Sequence, residues 1–143
     1  MTKFITIKIE EYGADKPKIV KYDDNSYDNV GDYARFFNSS SPLWVEDSER
    51  NLCLLQQTQQ YANEMLRTRG HLFLNEVYDL LGMVRSRAGT VVGWTYKKND
   101  PCGDNRVDFG IFEEHNQDFV NGNDTSVLLD FNVDGCILDS LII

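Results

Sequence analysis

Residues Asp130-Phe131-Asn132-Val133-Asp134-Gly135 carry the chain's most suggestive spacing of oxygen donors. They match the opening D-x-N-x-D-G of a calcium loop, in which alternate side-chain oxygens converge on a hard cation and the glycine permits the sharp turn. A calcium loop also needs a bidentate carboxylate at its twelfth place, and that place here is Leu141. Phe131 and Val133 instead suit a strand that faces inward and ends on an Asp-Gly turn. That strand is the ordinary reading. The alternative is a divalent cation held by Asp108, Asp130, Asn132 and Asp134, in an enzyme or a sensor. No other cofactor is implied.

Other side chains with chemical potential are isolated. Cys102 lies in a turn with Asp100, Pro101, Gly103 and Asp104, but neighbouring carboxylates disfavour a thiolate, and neither His71 nor His115 is close in sequence. Cys53, Cys102 and Cys136 are odd in number, widely spaced and without a C-x-x-C pair, which fits free thiols in a reducing cytoplasm and argues against a structural zinc site. The serine-hydrolase elbow, the phosphate-binding loop and the dinucleotide fingerprint are all absent. Arg67, Arg69, Arg85 and Arg87 form the one basic concentration. Arg67 and Arg69 fall at a helix C-terminus, where the backbone dipole favours cations.

The charge balance is more informative. Lys and Arg against Asp and Glu number 7 and 10 in residues 1–50, 6 and 4 in 51–100, and 1 and 9 in 101–143, for a net −9 overall. A field of that sign repels phosphates and anionic lipid surfaces, so direct binding to nucleic acid or a membrane surface is not expected. It favours a basic protein partner, met by Asp104, Asp108, Glu113, Glu114, Asp118, Asp124 and Asp130. The first ten residues lack a secretory h-region, and no apolar run approaches the roughly 18 residues of a membrane span, so a cytoplasmic protein is expected.

The elements that must position these residues follow from periodicity. Phe4–Glu10 and Lys18–Tyr22 alternate and close as an N-terminal β-hairpin across a turn-forming stretch. Val30, Tyr33, Ala34 and Phe37 have helical spacing, and Asn38 to Pro42 reads as a linker. Asp47 and Ser48 can cap a helix whose apolar stripe is Leu54, Leu55, Thr58, Tyr61, Ala62, Met65 and Leu66, opposite Gln56, Gln57, Gln59, Gln60 and Asn63, ending at Gly70. A shorter helix through Leu74, Val77, Tyr78 and Leu81 stops at Gly82. Strands are expected at Val91–Tyr96, Arg106–Phe112 and Ser126–Val133 as a C-terminal, three-stranded, mainly antiparallel sheet. Alternation in the last two turns Asp108, Asp130 and Asn132 away from the core. The class is α+β. At 143 residues the chain makes a single domain over 1–143, with a possible division into 1–40 and 45–143.

Leu74-Asn75-Glu76-Val77, Gly93-Trp94, Gly103-Asp104-Asn105, Val107-Asp108-Phe109-Gly110 and Leu129 to Gly135 together resemble a family of small uncharacterised proteins of Gram-positive phages and integrative mobile elements. The resemblance runs over about 71–139 and leaves out Met1–Arg69. It implies a mobile-element setting and carries no catalytic residues. Within that setting the expected function is non-catalytic: an acidic protein that inhibits a basic host protein or mimics nucleic acid towards it. A structural or assembly role, with the N-terminal hairpin adding a strand to another chain, is the third reading. The sequence does not fix an oligomeric state.

Overall fold

In the computed structural model of the chain, residues 31–141 are described; the hairpin expected at 4–22 lies outside them. The protein is α+β. Helix α1, Ser48–Arg69, begins where Asp47 in extended conformation turns its Oδ1 onto the N–H groups of Glu49 and Arg50, supplying acceptors to a turn that has none of its own. It ends at Gly70, whose φ of 85° is open to glycine at little cost and lets its N–H reach the Leu66 carbonyl. Both ends fall where the sequence sets them. Its inward face differs from the expected stripe: Asn51, Leu55, Ala62 and Leu66 are buried, whereas Tyr61 is half exposed.

The short strands are β1 (Arg35–Phe37), β2 (His71–Phe73), β3 (Val92–Thr95), β4 (Val127–Leu129) and β5 (Gly135–Cys136). They form an antiparallel pair, β1 with β4, and a three-stranded antiparallel sheet in the order β2-β3-β5. The expected three-stranded sheet is therefore present, but its membership is different. Val91–Tyr96 supplies the central strand, while its partners are His71–Phe73 and the Gly135–Cys136 segment. The strand expected at Ser126–Val133 narrows to β4 and pairs with β1 in the other sheet. Residues 106–112 form no strand, for reasons given below.

The helix expected over Val30–Phe37 is a correction: residues 35–37 are β1. Adjacent Phe36 and Phe37 suit a pleated, half-buried position, and the antiparallel pairing with Val127–Leu129 overrides the helical spacing. Phe37 is fully buried opposite Val127. Arg35 lies over the Tyr78 ring, 4.1 Å from its centroid, and donates to the Val84 carbonyl at 3.0 Å.

Helix α2, Leu74–Leu80, follows β2 directly, and the Glu76 carboxylate accepts from the Phe73 N–H at 3.1 Å to close its first turn. The chain ends through α3 (Gln117–Val120) and α4 (Leu138–Leu141). Trp94, Tyr78, Phe37, Phe109 and Phe119 fill the core with leucines from α1, α2 and β2. Phe131 stands edge-on to Tyr78 and to Phe109, with centroids 5.7 and 5.4 Å away, so β3, α2 and the C-terminal segments share one apolar interior.

Candidate functional site

Alternation places Val107, Phe109 and Ile111 inside, with exposures of at most 1%, and turns Asp108 outward. The backbone there makes no regular ladder because side chains take its donors. The N–H of Val107 goes to Asn63 Oδ1 (2.7 Å), that of Asp108 to Asn132 Oδ1 (2.7 Å), that of Phe109 to Gln59 Oε1 (2.8 Å) and that of Gly110 to Asp108 Oδ1 (2.9 Å). Four consecutive amides are thus answered by carboxamides and a carboxylate, two of them from α1. Gln59 and Asn63, which periodicity assigns to the outer face of α1, therefore face this segment.

The second edge of 108–110 meets the D-x-N-x-D-G residues. Asp130 N–H donates to the Phe109 carbonyl (2.9 Å) and Asn132 N–H to the Asp108 carbonyl (3.2 Å), so Asp108, Asp130 and Asn132 are neighbours. Asn132 is the hub. Its Oδ1 accepts from Trp94 Nε1 (2.8 Å) and the Asp108 N–H, while its Nδ2 donates to Asp104 Oδ2 (2.9 Å) and the Arg106 carbonyl (3.0 Å). A carboxamide has two donors and two acceptor sites, and all are filled.

The carboxylates around it are also engaged. Asp130 Oδ1 accepts from the Gly31 N–H (3.1 Å), and Asp108 Oδ2 takes Arg106 Nη1 (3.2 Å). Asp134 Oδ2 accepts from the Thr95 N–H (2.9 Å) and lies 3.4 Å from Thr95 Oγ1. Burial, joined by the nearby Asp104 charge, pushes the Asp134 carboxyl above the ordinary range, and the two Thr95 donors only partly oppose it. Gly103 packs so closely on Asp134 that a Cβ there would collide with the carboxylate. Among the described residues no group of three or more His, Cys, Asp or Glu is placed to hold a metal ion.

The same chemistry of side chain on backbone recurs across the molecule. Asn51 brackets Val45, Asn63 brackets Val107, Asn75 brackets Ser86, Asn105 brackets Lys97 and Asn116 brackets Leu128, each accepting from one residue's N–H and donating to the same residue's carbonyl at 2.7–3.0 Å. Asn51, Asn75 and Asn116 are almost wholly buried. Gly89 must lack a side chain because a Cβ would strike the Asn75 carboxamide.

The remaining acidic residues form a separate, exposed group. Glu113, Glu114, Asp118 and Asp124 all lie in or beside the segment that carries α3. The Asp118 carbonyl accepts from the N–H groups of Asn123 (2.7 Å) and Asp124 (3.1 Å), which folds Asp124 back towards Asp118. Trp44 Nε1 donates to the Thr125 carbonyl at 2.9 Å, and Ser48 Oγ to the Asp124 carbonyl at 3.4 Å. These bonds seat the turn against the start of α1, where Glu46, Asp47 and Glu49 are exposed beside Arg50. The sequence separates the two groups by more than sixty positions, and their adjacency has no sequence signal. Of the residues assigned to a partner face, Asp104, Asp108 and Asp130 lie close to Asn132, Asp104 exposed and the other two half-buried.

The other candidates fall to ordinary roles. Burial opposes ionisation of Glu76, but Arg69 Nη1 at 2.7 Å and the Phe73 N–H outweigh it and hold the carboxyl below its ordinary value, with His71 adding a smaller contribution. Arg85 binds Asp79 through Nε at 2.9 Å, lowering that carboxyl. Two of the four clustered arginines are thus in ion pairs. All three cysteines are free and exposed, and Cys102 Sγ lies 3.9 Å from Ser140 Oγ. No helix among the described residues is long and apolar enough to cross a membrane.

Fold and site together define a small α+β protein with short strands, carboxamide-bracketed loops and a strongly acidic C-terminal third. The chain belongs to a family of unknown function, DUF6353, which matches residues 5–141 and so takes in the N-terminal segment that the resemblance left out. No curated protein and no solved structure matches it.

Proposed function

We propose that this chain is a non-catalytic binding protein that presents Glu113, Glu114, Asp118 and Asp124, extended by Glu46, Asp47 and Glu49, to a basic surface of another protein. In the setting suggested by the resemblance to mobile-element proteins, the partner is a cytoplasmic host protein, and the chain acts on it as an inhibitor or nucleic-acid mimic. One observation carries the reading. Arg106 is the last lysine or arginine of the sequence and is paired with Asp108, while the carboxylates of the 113–124 segment are exposed. Such a surface steers cationic partners and loses affinity as salt screens it.

The test uses a fluorescent arginine-rich peptide and two variants of equal charge. The first combines Glu113→Gln, Glu114→Gln and Asp118→Asn. The second combines Asp32→Asn, Glu64→Gln and Asp100→Asn, which lie elsewhere. Binding is expected to weaken steeply as salt rises, and the first variant to lose about tenfold in affinity, on the order of 1.4 kcal/mol, with little change in the second. Equal losses in both variants would reduce the effect to net charge and remove the face. Salt-insensitive binding would remove the electrostatic reading altogether.

A further inference from the structure

We draw no further inference here: the strongest candidate, the exposed apolar surface at Leu43 close to Gly82, carries none because nothing in the structure shows what covers it.

Discussion

Asn116 shows how much one side chain contributes at the residue scale. Its carboxamide accepts from the Leu128 N–H and donates to the carbonyls of Leu128 and Gly110, joining β4 to the turn that leaves the 106–110 segment. Removing it strands buried backbone groups, and each such group costs about 1–3 kcal/mol. Asn116→Ala is therefore expected to lower unfolding stability by roughly 2–4 kcal/mol in a urea titration. A loss of only a few tenths would mean that water or relaxation replaces the carboxamide. Asp134 behaves in the opposite sense. Its folded pKa is raised, so its contribution to stability is present when it is protonated and is lost as pH rises through that value. Asp134→Asn keeps an acceptor for the Thr95 N–H without the charge. The variant is expected to melt higher than the parent at pH 7, with the gap narrowing below the usual carboxylate range. A lower melting temperature at pH 7 would show that the ionised carboxylate earns its place through Thr95.

Elements differ in how far local chemistry sets them. Helix α1 carries its own start and stop signals, and it lies where those signals put it, from the Asp47 cap to Gly70. Asp47→Ala is expected to cost about 1 kcal/mol, the usual loss when an N-cap oxygen is removed. Circular dichroism during thermal melting would register it, and an unchanged midpoint would mean that Ser48 or water replaces the cap. The strands are another matter. Among the described residues none exceeds four residues, and β3 lies so close to β2 that a Cβ at Gly93 would strike the backbone of Leu72 and Phe73. Elements this short carry too few residues for a period of two to be distinguished from a turn, and β2 gave no signal between the two helices. Their partners decide them.

For the whole molecule, the separation of the acidic residues into two sets governs the chemistry. Asp108, Asp130 and Asp134 are half-buried and accept from Arg106, Gly31 and Thr95, and the exposed Asp104 accepts from Asn132, whereas the carboxylates of the 113–124 segment are exposed. A cation at Asp108, Asp130, Asn132 and Asp134 would compete with Trp94 and the Asp108 N–H for Asn132 Oδ1 and with Arg106 for the Asp108 carboxylate. Millimolar calcium, magnesium or manganese is accordingly expected to leave the melting temperature unchanged, since a ligand stabilises a fold only by binding the native state preferentially. A rise of several degrees, abolished by Asp130→Asn, would restore the four-oxygen site.

The sequence by itself determined the α+β class, both ends of α1, the second helix, a strand at Val92–Thr95 and the inward set Val107, Phe109, Ile111, Leu129 and Phe131. Each depends on contacts within a few residues: a cap, a glycine open to positive φ, or a hydrophobic period read against one solvent boundary. Tertiary structure alone decided that residues 35–37 are strand, that β4 leaves the three-stranded sheet, and that 106–110 bonds to side chains of α1. It also brought Glu46, Asp47 and Glu49 beside the 113–124 turn. The reason is the same in each case. An asparagine or glutamine on a helix looks alike whether it meets water or another segment's backbone, and only the packed chain supplies the N–H and C=O that it answers.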